Sequence, residues 1–408
     1  MIGRDSLTLA AAVTFTVAAL ASGPAAAEIS DDVVKIGVMN DRSGLYADLA
    51  GEGSVIAAQM AVEDFDAAGK DIEVEIISAD HQNKPDIGSS IARQWIDEEG
   101  VDVIVDVPTS SVALAVNEVV REKQKAFLVS GAASSDLTGS KCSPNTIHWT
   151  YDTWQLANGT GKAIVQTGGD SWFFITADYA FGHALERDTT AVVEENGGQV
   201  LGSVRHPLQT ADFSSFLLQA QGSGAKIIGL ANAGGDTINS IKQAAEFGIV
   251  AGGQNLAGLL VFLTDVHSLG LQIAQGLILT ESFYWDLNDQ TREWSKRFAE
   301  RNGGKYPTMV HAGVYSSVLH YLKAIEALQS DAGTEVIAKM KEMPTDDPLF
   351  GKGSIRPDGR KIHDSYLFEV KKPEESSGEW DLYKLRATVP AEEAFRPMEE
   401  GGCPLVSQ

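Results

Sequence analysis

The chain is short of cysteine, histidine and positive charge. Its 408 residues include 2 Cys, 8 His and 32 Lys+Arg against 56 Asp+Glu, a formal net charge of −24 at pH 7. Counterion release from a phosphate backbone needs clustered Lys and Arg. The densest basic stretch, Arg121 to Lys125, is mixed with Glu122 and reads as a solvated helix face, so nucleic acid is excluded. There is no C-x-x-C, no HExxH and no close pair of histidines, so no metal site is expected. A G-x-S-x-G elbow and a Walker loop are also missing, and Gly234-Gly235-Asp236 is an incomplete dinucleotide fingerprint. Neither catalytic residues nor a cofactor are therefore expected. The apolar run Leu256 to Leu263 is only eight residues long, well below the ~20 that a membrane-spanning helix needs.

What is present starts with an export signal. Arg4 precedes the mostly apolar run Leu7 to Ala21, followed by the breaker Gly23-Pro24 and the small residues Ala25-Ala26-Ala27 before Glu28. That order predicts a signal peptide over 1–27, cleaved after Ala27, with no cysteine nearby to carry a lipid. The mature chain is expected to be an exported, periplasmic monomer without membrane insertion. In an oxidising compartment Cys142 and Cys403 become disulfide partners, tying the middle of the chain to its C-terminal end.

At ~100–200 residues per domain, the length points to two domains. Short apolar runs alternate with amphipathic stretches from Val33 onward. Strands are predicted at 33–39, 72–80, 101–107 and 126–132, with helices from Glu52, over Asp86 to Glu98 and from about Val112. On the first of these helices Val55, Ala58, Val62 and Phe65 share one face. After His148 and Trp149 the cycle restarts. A helix from Asn158 leads to strands at 171–176, 199–205 and 226–231, separated by helices 182–196 and 213–221 and followed by 236–248. Such alternation predicts parallel βαβ units with right-handed crossovers. Long helices follow over 291–301 and 308–329, then a strand pair within 349–370 around Arg356-Pro357-Asp358-Gly359. The expected architecture is α/β, with two Rossmann-like lobes and a chain that crosses between them more than once. Lobe 1 is expected over 28–150 plus about 285–345, lobe 2 over 151–284 plus about 346–390, and the tail 391–408 docks on lobe 1.

Ligands of parallel α/β sheets gather at the carboxyl ends of strands. Here those ends carry Ser43 to Tyr46, Thr109-Ser110-Ser111 and Ser130 to Ser135. Helix N-termini with hydroxyls suit a carboxylate without Lys or Arg, although the same residues serve equally as helix caps. Aromatics concentrate over His148 to Trp154, Tyr179 to Phe181 and Phe283 to Trp285. They suit a flat apolar ligand, or equally the packing of core and hinge.

The segments VVKIGVMNDRSGLYADLAGEG (33–53), PTSSVALAV (108–116), SGAASSDLTG (130–139) and ADYAFGHAL (177–185) resemble, in order, those of type I periplasmic binding proteins. More narrowly, the chain is similar to the leucine/isoleucine/valine-binding family of ABC-importer receptors. The resemblance implies three interlobe crossings, a ligand held in the cleft by lobe closure, and delivery to permease and ATPase subunits. Carried over by motif, Ser110 or Ser111, Ala132 and Ser134 match the carboxylate clamp, and Tyr46 and Phe181 match cleft aromatics. Asn232 to Asp236 matches a ligand-facing loop.

One departure bears on the ligand. Where amino-acid receptors of the family place an acid for the α-ammonium, Gly258-Leu259-Leu260-Val261 is apolar; Asp152 or Asp236 would have to supply a displaced counter-charge. With Tyr151 and Trp154 nearby, the expectation is a ligand with one carboxylate and an aromatic body. The alternatives are a branched-chain or other amino acid, an amide, a sensory module, or a secreted hydrolase drawing on His148 or His311.

Overall fold

The computed structural model describes residues 29–406, so the expected signal peptide lies outside the described residues. Strands β1 (Val34–Asn40), β2 (Val74–Asp80), β3 (Val103–Asp106), β4 (Ala126–Val129) and β5 (Thr146–His148) form a parallel sheet in the order β2-β1-β3-β4-β5. The central strands β3 and β4 are buried throughout. That is why they read as unbroken apolar runs rather than as alternation. A second parallel sheet contains β6 (Ser171–Ala177), β7 (Gln199–His206), β8 (Ile227–Ala231) and β9 (Asn255–Gly258), in the order β7-β6-β8-β9. Its edge strand β7 alternates exposed with part-buried residues along nearly its whole length.

Each sheet is the core of one lobe. The order reverses around β1 in the first sheet and around β6 in the second, and such reversals open a crevice beyond the carboxyl ends of the strands. The chain leaves the first lobe after β5. It crosses back after β10 (Ile278–Glu281), because the helix Met309–Leu328 packs along the helix Gly51–Phe65. Thr308 caps that long helix by accepting the Val310 N–H, and Gln329 ends it with φ +52. The expected helix 308–329 thus agrees with the structure to within one residue at each end.

Strands β11 (Thr345–Asp347), β12 (Gly351–Ile355) and β13 (Lys361–Ile362) form a small antiparallel sheet packed on the helices Met309–Leu328 and Gly333–Glu342. A parallel bridge from Arg360 to His148 links this segment to the first sheet. Strands β14 (Ser365–Val370) and β15 (Tyr383–Val389) instead extend β10 in an antiparallel sheet. We therefore place the third crossing near His363, later in the chain than the expected 346.

The C-terminal tail is anchored at several points. Cys142 and Cys403 form a disulfide with their Cα atoms 5.7 Å apart. Arg396 donates to the Ser135 carbonyl at 3.1 Å, and Asn158 donates to the Glu393 carbonyl at 2.9 Å. The Arg360 guanidinium lies 4.4 Å from the centre of the Phe395 ring.

Candidate functional site

The loops beyond the strand ends are tied to one another before any side chain meets the cleft. The Asp41 carboxylate accepts the backbone N–H groups of Ser43, Gly44 and Tyr46, at 3.3, 2.7 and 2.9 Å, and the Asn83 amide at 2.6 Å. Asn83 in turn accepts from the Thr109 hydroxyl. One chain of hydrogen bonds thus fixes the loops after β1, β2 and β3. Asp106 and Val107 both sit in the left-handed region, at φ 81 and 52. That conformation is strained for any non-glycine residue, and most of all for β-branched Val. It turns the chain so that Pro108 faces the cleft and the helix Ser110–Lys123 starts beside it.

Between the lobes lies a small cavity lined by Tyr46, Leu49, Pro108, Gly131, Ala133, Tyr151, Tyr179, Phe181, Ala233, Leu260 and Phe262. Every one of these follows the carboxyl end of a strand, where two facing α/β sheets should hold a ligand. Five of the eleven are aromatic and none carries a formal charge. Such a lining suits a flat ring or a short apolar side chain. The Tyr151 hydroxyl donates to the Gly131 carbonyl at 2.5 Å. Across the cleft the hydroxyls of Tyr46 and Tyr179 meet at 2.5 Å.

Buried acids lie near the cavity without lining it. Burial pushes Asp106 and Asp265 each up to about 7, with Asn40 donating to the first and the Phe262 N–H to the second. Burial, reinforced by Asp265, holds the Glu281 carboxyl well above the ordinary range. Burial thus disfavours the charged form of all three, and Asp106 and Asp265 are about half protonated at pH 7.

Of the residues expected from sequence, Tyr46, Tyr151 and Phe181 line the cavity together. Ser110 stands just behind it. Its Oγ accepts the N–H groups of Ala133 and Ser134 at 3.3 and 3.2 Å. Ser134 caps the short helix Ser135–Thr138, and the Ala132 carbonyl is bonded to His148 Nε2 at 2.7 Å. Ser111 and Trp154 are half-buried and lie outside the lining. Asn232 accepts from Thr237 and contacts His206 and Ser240, organising the loop after β8. Leu259 is buried outside the lining, while Leu260 and Phe262 beyond it line the cavity.

Neither candidate counter-charge is free to meet an ammonium here. Asp152 accepts the Gln155 N–H and pairs with Arg360 at 3.4 Å. Asp236 accepts the N–H groups of Gln209 and Thr210, with burial raising its pKa to about 6. The histidines are also committed, His148 to the Ala132 carbonyl and His311 Nε2 to the Ala50 carbonyl at 2.8 Å. Neither is hydrogen-bonded to Ser110 or Ser134. Tyr179, singled out in the sequence only within the aromatic stretch Tyr179 to Phe181, lines the cavity beside Phe181. Leu49, Pro108, Gly131, Ala133 and Ala233 carry no chemical signal that sequence alone would single out.

Known proteins place this geometry. The sequence model of the periplasmic binding protein family matches residues 33–378. Leu/Ile/Val-binding protein homolog 6 of Brucella melitensis is 28% identical over 360 residues, which is 85% of this chain and 90% of that protein. The crystal structure of a Burkholderia mallei periplasmic binding protein is 52% identical, with a TM-score of 0.90 over 92% of this chain and 100% of that one. A branched-chain amino acid ABC transporter periplasmic ligand-binding protein from Burkholderia xenovorans is 41% identical, with a TM-score of 0.81 over 91% and 99%. An ABC transporter solute-binding protein of R. palustris, solved in complex with 4-hydroxybenzoate, is 25% identical, with a TM-score of 0.79 over 88% and 98%. The chain belongs to the periplasmic binding protein family, among the relatives of the leucine/isoleucine/valine-binding proteins, and is a solute-binding protein.

Proposed function

We propose that this protein is the receptor of an ABC importer for a small aromatic carboxylate, which it captures by lobe closure and delivers to permease and ATPase subunits. The observation that carries the reading is the cavity lining, rich in aromatic rings and free of charged side chains. A benzoate ring would be held among Tyr46, Tyr151, Phe181 and Phe262. Its carboxylate would take the Ala133 and Ser134 N–H groups and the Ser110 hydroxyl, which would turn from accepting those N–H groups to donating its own proton. An α-ammonium placed in the same cavity would meet no carboxylate, at a cost of several kcal/mol of desolvation. The 4-hydroxybenzoate complex of the R. palustris relative supports an aromatic acid; the name of the Burkholderia xenovorans relative favours a branched-chain amino acid as the second reading.

Titration calorimetry separates the two. Benzoate or 4-hydroxybenzoate is expected to release heat, with a negative heat-capacity change from apolar burial, while leucine and valine are silent. Micromolar leucine binding with no heat from either benzoate would overturn the proposal.

A further inference from the structure

The pair Gly234-Gly235, which makes no dinucleotide site, lies where the two lobes touch. Gly234 follows β8 at φ +56, a conformation that L side chains rarely adopt. A Cβ built on it would stand 2.5 Å from the Leu45 carbonyl oxygen of the opposite lobe and 3.1 Å from the Tyr46 ring. Gly235 opens the helix Gly235–Glu246, and its N–H donates to that same Leu45 oxygen at 3.3 Å. The Leu45–Tyr46 loop is fixed on its own lobe by Asp41, which holds the Gly44 and Tyr46 N–H groups. Next to this contact the Tyr46 and Tyr179 hydroxyls meet.

We infer that Gly234 and Gly235 are positioning residues for ligand capture. The missing side chain at Gly234 lets the lobes approach until the Gly235 N–H bonds to the Leu45 carbonyl. This backbone latch holds the cleft shut and sets the Tyr46 ring against the ligand. The inference rests on the reading that the protein captures its ligand by closure, and it does not depend on which ligand that is. A backbone carbonyl on an anchored loop cannot swing aside as a flexible side chain would, so a single methyl at position 234 blocks the approach.

Two variants probe the latch in different ways. Gly234→Ala adds the obstructing methyl. Gly235→Pro removes the N–H and sets the ring Cδ where that hydrogen pointed at the Leu45 oxygen, at the first helical position, where proline is well tolerated. Gly222→Ala is the control, since a Cβ there meets nothing within 4 Å. Nitroxide labels at Arg93→Cys and Leu218→Cys, one per lobe, report the interlobe distance by pulsed electron resonance, with and without benzoate. Melting curves of the ligand-free variants verify folding.

The wild type should show a short-distance population. Both latch variants should lose most of it and release benzoate roughly 3- to 10-fold faster, the range expected for one hydrogen bond, while Gly222→Ala behaves as wild type. Two results overturn the latch: both variants keep the wild-type short-distance population, or the wild type binds benzoate by calorimetry yet lacks that population with benzoate bound. A short-distance population in the ligand-free chain that both latch variants lose, with no heat from benzoate, supports the latch and rejects only the aromatic-acid reading.

Discussion

Asp106 shows what one residue contributes at the cleft. Its carboxyl is buried at the end of β3, next to a backbone in the left-handed region, with Oδ1 unpartnered. Burial raises its pKa from the ordinary 3.8 to about 7. Below pH ~4 the group is protonated in both folded and unfolded chains, and the shift costs nothing. Between pH ~4 and ~7 the unfolded chain ionises while the folded chain holds its proton, so this residue's contribution to stability falls as pH rises. Above ~7 the loss is complete, at up to about 4 kcal/mol. Asp106→Asn has no such titration. Its stability relative to wild type, measured by denaturant unfolding across pH 4 to 8, should rise with pH and level off near 7. A flat difference would mean that the carboxylate is ionised in both states. The strain and burial behind this behaviour are invisible in the string Val105-Asp106-Val107-Pro108. By contrast the rings of Tyr46, Tyr151 and Phe181 were legible, because a strand end followed by an aromatic is a local pattern.

Among the elements, most strands and helices were legible from periodicity, and the exceptions have physical causes. The helix expected from Asn158 begins at Thr153, because the Asp152 carboxylate caps it by accepting the Gln155 N–H and the chain then passes through one π-helical turn over Ala157–Gly161. Strand β15 was overlooked although Tyr383, Leu385, Ala387 and Val389 alternate with Lys384, Arg386 and Thr388; its burial does not follow that alternation, since the centre of this edge strand is exposed over four consecutive residues. The tail is the most consequential element outside the two parallel sheets. Its disulfide closes a loop with a sequence separation of 261 residues, and its Arg396 and Phe395 contacts hold it along the first lobe and the third crossing. Cys403→Ser, or reduction, should therefore lower unfolding stability by ~2–4 kcal/mol, the usual effect of removing such a crosslink. Amide exchange should then accelerate over 391–403 while β1, β3 and β4 stay protected. Unchanged exchange in the tail would show that the noncovalent contacts suffice.

Across the whole molecule, the net charge of −24 and the uncharged cavity act on a ligand at different ranges. No Lys or Arg lines the cavity, so an entering carboxylate meets hydroxyls and backbone N–H groups that are local and short-ranged. The surface carboxylates act from farther away and repel an anion through solvent. Their reach is the Debye length, ~30 Å at 0.01 M salt and ~8 Å at 0.15 M. Raising NaCl over that interval removes the long-range repulsion and leaves the local donors untouched. Affinity for benzoate should therefore increase with salt, whereas a zwitterion such as leucine, carrying no net charge, should respond little. A receptor that captured its anion with lysine or arginine would lose affinity as salt rose, because screening would then weaken an attraction. Calorimetric titrations at 0.01 and 0.15 M NaCl thus test how the anion is held, and weaker benzoate binding at the higher salt would point to a cationic group at the cleft in place of the neutral clamp around Ser110.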